Sequence, residues 1–418
     1  MTASNATRLA ALLVLLPAAA ATGCNAHPLV EVEYVSGGGI ELDDEGGADA
    51  DAGDDDGEGE GDDEGGDGEG DGEDNDGDDG DDAGDDDGDD GEDASLCTTE
   101  VIDVSANPPQ VMLVLDKSTS MVDNSWDHNG DDVLRWESLH SVVTDVVGTY
   151  DNSMDFGAVF FPALDATGPS GGAANSCRMA DAADVSPAPG NATAILATMP
   201  GATDTDAVRG RTPAREGIEL ATASLAATET QGARAMILVT DGLANCVSDD
   251  EPSLYDQAMP GALAAAADQQ IPTYVVGIDI RDEFVSYAQA NARTELDTVA
   301  RAGGVPASDD LAYYDASDED ALYDALDEIA ARVECTIPLA DAAPADAVVT
   351  IAVDGSDVEE ITDCSTQDGW HFTDAQARNT VELCGAACDA LRVTGVVETT
   401  SCSPDDEGVG EPTPLPVP

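Results

Sequence analysis

Apolar and polar positions along this chain follow two periods. Residues 111–115 (VMLVL) form an unbroken apolar run, β-branched in part, as in a strand covered on both faces. Trp136, Leu139, Val142, Val143, Val146, Val147 and Tyr150 then recur at three- and four-residue spacing, the single apolar stripe of a helix. A second strand is predicted over 156–161, stopped by Pro162. Residues 163–206 are rich in Gly, Ala, Pro and Ser, too long for a plain connection, and read as an insertion or binding loop. Thr212 and Pro213 open the next helix, with Thr at the N-cap and Pro in the first turn. Strands over 235–239 and 272–280 follow, then a helix ending at Gly303-Gly304 and a short strand near 312–314. Ser317 caps a last helix carrying Leu322, Leu326, Ile329 and Val333. This alternation predicts an α/β fold, a doubly wound, mostly parallel sheet with helices on both faces. Beyond residue 335 the pattern changes. Residues 348–353, 381–383 and 393–397 are strand-like, with Trp370 and Phe372 between them. They predict a small β-rich module, short of core residues, that disulfides would help to hold.

Composition divides the chain further. Its 418 residues suggest roughly two to three domains. The formal net charge is −75, and much of it is local: residues 41–94 hold 31 Asp and Glu, no Lys or Arg and no aromatic. Such a stretch cannot offset its ordering entropy and is expected to be disordered. As a self-repelling tether of about 54 residues it would span about 40 Å or more. Calcium binding is the other reading, because DNDGDDGDD resembles calcium loops, although no full D-x-[DN]-x-[DN]-G frame with its distal Glu occurs. The tether is the favoured reading. The acidic balance argues against nucleic acid as a partner, since phosphate binding needs Lys and Arg clusters.

At the start of the chain, Arg8 precedes an apolar run from Leu9 to about Ala21, too short to span a bilayer and suited to a signal-peptide core. Ala21-Thr22-Gly23-Cys24 resembles the lipobox of bacterial lipoproteins, which implies that Cys24 becomes the lipid-bearing N-terminus and ties the protein to a membrane. Asn25 resembles the outer-membrane sorting pattern, which favours the outer membrane or cell surface over the inner membrane. The alternative is an ordinary secretory signal and a soluble product. The expected division is a signal peptide at 1–23, an anchored stub at 24–40, the acidic spacer at 41–95, a large domain at 96–335, the small module at 336–402 and a Pro-rich tail at 403–418.

Of nine Cys, removal of Cys24 leaves an even number, which in an exported chain reads as a disulfide framework. The hypothesised pairs are Cys97–Cys335 across the ends of the large domain, Cys177–Cys246, Cys364–Cys384 and Cys388–Cys402. Zinc is the rival for Cys384 and Cys388 (CGAAC), but no second Cys pair or His pair follows, and the nearest His is His371.

The candidate chemistry lies in five residues. Asp116, Ser118 and Ser120 follow the first apolar run as DKSTS, Thr212 lies in GRTP, and Asp241 in TDG. In an open parallel sheet, ligands bind outside the carboxyl ends of the strands, where Asp116, Asp241 and the start of the Thr212 helix would all fall. Hydroxyls and carboxylates are hard oxygen donors suited to Mg²⁺ first, with Ca²⁺ or Mn²⁺ as alternatives. Taken singly, each of these motifs also serves as an ordinary cap or turn.

Together and in this order, DKSTS, the GRTP threonine and TDG resemble the metal-ion-dependent adhesion site of a von Willebrand factor A domain, over about residues 108–333. The resemblance implies that Ser118, Ser120 and Thr212 coordinate a divalent cation directly and that Asp116 and Asp241 do so directly or through water. It also implies that an Asp or Glu of a protein partner completes the shell. The long 163–206 segment departs from a minimal domain of that family. A surface-anchored binding module is therefore expected, with a structural envelope scaffold as the alternative. No HExxH or P-loop occurs, and no enzymatic role is expected.

Overall fold

A computed structural model describes residues 97–402, except 129, 169, 171, 248–251 and 365. The expected signal peptide, Cys24, the acidic spacer and the Pro-rich tail lie outside the described residues.

The chain begins with β1 (Cys97–Asp103), β2 (Gln110–Asp116), the short helix α1 (Ser120–Asp123), the hairpin of β3 (Ser125–His128) and β4 (Asp131–Leu134), and the long helix α2 (Arg135–Tyr150). Next come β5 (Asp155–Phe161), α3 (Ala173–Ser176), β6 (Val185–Ala188), α4 (Ala192–Thr198), α5 (Ala214–Ala226), β7 (Arg234–Thr240) and α6 (Met259–Ala267). They are followed by β8 (Thr273–Ile278), β9 (Phe284–Val285), β10 (Ala290–Asn291), α7 (Ala292–Ala302), β11 (Tyr314–Ala316) and α8 (Glu319–Glu334). The last part contains β12 (Thr336–Pro338), β13 (Val348–Val353), β14 (Ser356–Val358), β15 (Gly369–Phe372), β16 (Thr380–Cys384), α9 (Ala386–Thr394) and β17 (Val396–Cys402).

The central sheet has six strands in the order β11-β8-β7-β2-β5-β6. All neighbours are parallel except β6, which runs antiparallel to β5 at the edge. Every residue of β2 is buried. Its side chains alternate between two cores: Val111, Leu113 and Leu115 face α2 and α8, and Met112 and Val114 face α5, α6 and α7. Burial on both faces is why this strand is a continuous apolar run without an amphipathic alternation.

Several elements differ from the expectation. Residues 163–206, expected to be an insertion or binding loop, contain α3, the edge strand β6 and α4, and Ile195 of α4 enters the core beneath α2. The last helix is capped by Asp318, whose side chain accepts a hydrogen bond from Ala321 N at 2.8 Å, and not by Ser317. The short strand after α7 lies two residues later than expected, at Tyr314–Ala316. Val393 belongs to α9, and strand β17 starts only after it. Helix α6 carries almost no amphipathic signal, because MPGALAAAA is apolar or small nearly all round.

The small module has one unforeseen part. Strand β1 does not join the central sheet; it pairs antiparallel with β17 in the order β1-β17-β13-β14. A second sheet, β12-β16-β15, and helix α9 complete the module around Ile351, Trp370, Leu383 and Val397. It meets the large domain at the starting ends of the central strands, where a groove is lined by Ile102 and Asp103, by Arg234 and Tyr274, and by Thr336 and Thr380.

This topology corrects two disulfides. Cys97 stands opposite Cys402 in the β1–β17 register, and these two are bonded, so neither Cys97–Cys335 nor Cys388–Cys402 forms. Cys335, fully buried at the end of α8, is bonded to Cys388 of α9, with their Cα atoms 5.5 Å apart. The structure also bonds Cys177 to Cys246 and Cys364 to Cys384.

Gly277 in β8 shows how tightly the second core is filled. A Cβ there would lie 2.6 Å from Ile280 Cγ1, 2.7 Å from Leu296 Cδ2 and 2.9 Å from Tyr313 Cε2. Gly277→Ala should lower the unfolding free energy by about 1–3 kcal/mol. The shift is read as a lower urea midpoint at unchanged slope.

Candidate metal centre

Strand β2 lies between β5 and β7, and the chain leaves it toward β5 on one side before returning to β7 on the other. This is a topological switch point, where an open α/β sheet leaves a crevice outside its carboxyl ends. Asp116 is the last residue of β2, and Asp241 directly follows β7. Both are buried.

A continuous chain of hydrogen bonds joins four of the five predicted residues. Asp116 Oδ1 accepts the Ser118 N–H at 2.8 Å, and its Oδ2 accepts the Thr240 hydroxyl at 2.7 Å. The Ser118 and Ser120 Oγ atoms are 3.0 Å apart. Ser120 Oγ donates to Asp241 Oδ1 at 2.7 Å. The two serines meet because the segment turns from β2 straight into α1, with Met121 N donating to Ser118 O.

The intervening residues of DKSTS do a different job. Lys117 is fully buried, and its Nζ faces the carbonyl oxygens of Ala207 at 3.4 Å and Arg209 at 3.2 Å. Burial pushes the pKa of this amine down to about 8. Thr119 Oγ1 donates to Gly210 O at 3.0 Å and accepts from Gly210 N at 3.1 Å. Gly210 has φ +119°, and a Cβ there would strike Pro162 Cγ at 2.4 Å and Ser176 O at 2.8 Å. Only glycine lets the backbone pass so close. Residues 207–210 are thereby fixed against the DKSTS segment, and Thr212 follows directly.

Thr212 is buried and reaches the Asp241 side through its backbone. Its N–H donates to Asn245 Oδ1 at 3.0 Å, and its carbonyl accepts from Asn245 N at 2.8 Å. The cap position of α5 is Pro213, with no side-chain capping bond, so the Thr212 hydroxyl is not consumed as the expected N-cap. Among the described residues no hydrogen bond ties that hydroxyl to the other four. The Cys177–Cys246 disulfide fastens the same place, since Cys246 adjoins Asn245 and Cys177 adjoins Ser176, whose carbonyl accepts from Arg211 N at 2.8 Å.

The electrostatics are those of a cluster short of positive charge. Burial, then the charge of Asp241, pushes the pKa of Asp116 up to about 7, against the lowering effect of its hydrogen bonds from Thr240 and Ser118. Burial also raises Asp241, more than Arg135 and Ser120 lower it. A divalent cation would favour the charged form of both. The donor set of hydroxyl and carboxylate oxygens fits a hard ion such as Mg²⁺, Ca²⁺ or Mn²⁺.

Arg135 was not foreseen. It begins α2, the positive end of the helix dipole, where a cation is disfavoured. It is nonetheless buried, because Nη1 donates to Asp241 Oδ2 at 2.8 Å and Nη2 pairs with Asp279, which follows β8. An Arg at the head of an apolar helix is the one sequence signal that it has acidic partners from elsewhere. Asp279, Thr240 and Asn245 carried no signal, since their roles depend on strand order. Arg135→Met should cost about 3–5 kcal/mol in chelator-treated protein, because it leaves Asp241 buried and unpaired. Urea denaturation in saturating Mg²⁺ should recover part of that loss.

No protein-family model matches the sequence, and no curated protein matches it. Among solved structures, the pilus adhesin SpaC of Lactobacillus rhamnosus GG in its open conformation is similar at 18% identity and TM-score 0.42, covering 71% of this chain and 38% of the adhesin. The PilB minor pilin of Streptococcus sanguinis is similar at 17% identity and TM-score 0.36, covering 55% of this chain and 61% of the pilin. Proximal thread matrix protein 1 of the mussel byssus, in a structure with a zinc-occupied MIDAS motif, is similar at 16% identity and TM-score 0.34, covering 56% and 47%. The chain thus spans about two-fifths of the length of SpaC. These are distant likenesses, at a level where neither a family nor a function carries over.

Proposed function

We propose that this chain is a binding module that holds a protein partner through a divalent cation at the Asp116–Asp241 edge of the central sheet. The observation that supports it is the linked set Asp116, Ser118, Ser120 and Asp241, hard oxygen donors joined at a switch point with two buried carboxylates pushed toward protonation. On this reading Ser118, Ser120 and Thr212 offer hydroxyl oxygens to the ion, and Asp116 and Asp241 offer charge. When bound, the cation supplies an electrophilic position that a partner's Asp or Glu can fill. Mg²⁺ is the first choice of ion, with Ca²⁺ or Mn²⁺ as alternatives.

The chain's own residues keep this set in place. Arg135 and Thr240 each occupy one carboxylate oxygen and leave the others turned toward the serines. The Cys177–Cys246 bridge and the Lys117 and Thr119 contacts limit how far the Thr212 segment can move. The role is adhesive and not enzymatic, exerted from the cell envelope through a lipid on Cys24, and the acidic spacer displays the edge away from the membrane.

Affinity capture from envelope extracts tests the mechanism. Asp116→Ala, Asp241→Ala and Ser120→Ala should each release the partners that chelator releases from the unaltered protein. Ser120→Ala keeps both carboxylates and the Arg135 pair, so it guards against simple unfolding. Identical capture by all of them would defeat the metal bridge. If chelator lowers the melting temperature but leaves capture intact, the ion serves the fold alone and the scaffold alternative stands.

A further inference from the structure

The small module brings together a second cluster, independent of the Asp116 edge. Glu382 and Cys384 are two residues apart on β16 and so share one face of the sheet. His371 of β15 stands directly opposite Glu382. Opposite Cys384 is Gly369, which places no side chain there, and Cys364 enters to bond with Cys384. One ligand atom from each of Cys364, His371, Glu382 and Cys384 lies within 4.8 Å of all the others.

The hydrogen bonding around His371 is what points to a cation. Its Nδ1 lies 2.9 Å from the carbonyl oxygen of Phe372, which can only accept, so Nδ1 carries a hydrogen. In the neutral ring the Nε2 lone pair then faces Glu382 Oε2, 3.4 Å away. Two acceptors facing each other need a positive species between them, either a proton on the ring or a metal ion. A ring nitrogen fixed by a backbone carbonyl is also the usual support behind a ligating histidine.

The charge count agrees. Arg332 of α8 holds Glu382 from the other side, with Nε 3.0 Å from Oε1 and Nη2 3.2 Å from Oε2. Two thiolates, the Glu382 carboxylate, one divalent ion and the Arg332 guanidinium sum to zero, so the group needs no further counter-ion. Glu382 and Cys384 are buried while Cys364 and His371 are half-buried, which leaves a route of entry.

We propose that, in its dithiol form, this pocket is a zinc site with Cys364, His371, Glu382 and Cys384 as ligands. An external dithiol opens the Cys364–Cys384 bond by exchange: it gives two electrons, becomes a disulfide itself, and each cysteine sulfur takes a proton. Binding of Zn²⁺ then displaces those two protons and leaves two thiolates on the ion. Around a tetrahedral zinc, with Zn–S near 2.3 Å and Zn–N near 2.0 Å, ligand atoms sit about 3–4 Å apart. The two sulfurs, released from their bond, separate to about 4 Å, while the His371 and Glu382 atoms need only a small shift. The same loop and strands are cross-linked by the disulfide in one redox state and by the ion in the other.

Co²⁺ is the probe, because thiolate ligation gives a charge-transfer absorption band that an all-oxygen site lacks. After treatment of the whole protein with a phosphine reductant, which takes its oxygen from water, one equivalent of Co²⁺ should produce the band and Zn²⁺ should abolish it. Cys364→Ser and His371→Ala should each weaken Co²⁺ binding by roughly tenfold or more. Asp116→Ala and the double variant Cys97→Ser/Cys402→Ser should leave the band unchanged. If reduction of the other bridges unfolds the chain, Cys364→Asp is read without reductant: it frees Cys384, supplies a carboxylate in place of the thiol, and should give the band until His371→Ala is added. Absence of the band in both folded forms, or a band that survives loss of Cys364 and Cys384 together, overturns the proposal.

Discussion

Two carboxylates buried at the end of one parallel sheet set the terms for much of the large domain. In water, Asp116 and Asp241 would each be solvated and would interact weakly. Inside, desolvation and their mutual repulsion both act against ionisation. Their surroundings answer that constraint. Thr240 and Ser118 bond one carboxylate, Ser120 and Arg135 the other. Arg135 in turn is tolerable at the head of α2 only because Asp241 and Asp279 share it. The exits of three parallel strands, β2, β7 and β8, are thereby joined through one guanidinium and two hydroxyls. Packing alone would place these strands side by side; the polar network makes their ends a single unit.

The pentapeptide DKSTS resolves the apparent conflict between a buried strand end and a polar site. Its first, third and fifth residues face the cluster, while the second and fourth turn away and clamp residues 207–210. A buried lysine is costly unless it is hydrogen-bonded, and here backbone carbonyls take that role. The segment that brings Thr212 in is therefore anchored from the same five residues that supply three of the donors.

Much of this could be read from the sequence, for identifiable reasons. Strand β2 was visible because a strand with two covered faces must be apolar throughout. The candidate residues were visible because hydroxyl and carboxylate groups recur at the ends of such runs. What was hidden depends on contacts distant in sequence. Strand β1 has no pattern that distinguishes joining β2 from joining β17, so the Cys97 partner was misassigned and Cys335 with it. Ser317 and Asp318 are both good caps, and only the geometry selects Asp318. Thr212 read as a cap because Thr before Pro usually is one; the structure puts Pro213 in that place. The His371–Glu382 pairing was also out of reach, since strand register sets them opposite each other and no spacing rule connects them.

The Cys97–Cys402 bridge has a mechanical consequence. It joins the outermost strand of the module to β17, which lies inside its four-stranded sheet. A load arriving from the N-terminal side would otherwise peel β1 away one backbone bond at a time. With the bridge intact, tension passes through sulfur into β17 and spreads to β13. The module adjoins the starting ends of the central strands, and the carboxylate edge is at their finishing ends. A pull between those two places therefore runs along the strands, where neighbouring hydrogen bonds must shear together, and lifetime under force is set by the unfolding rate and not by equilibrium stability.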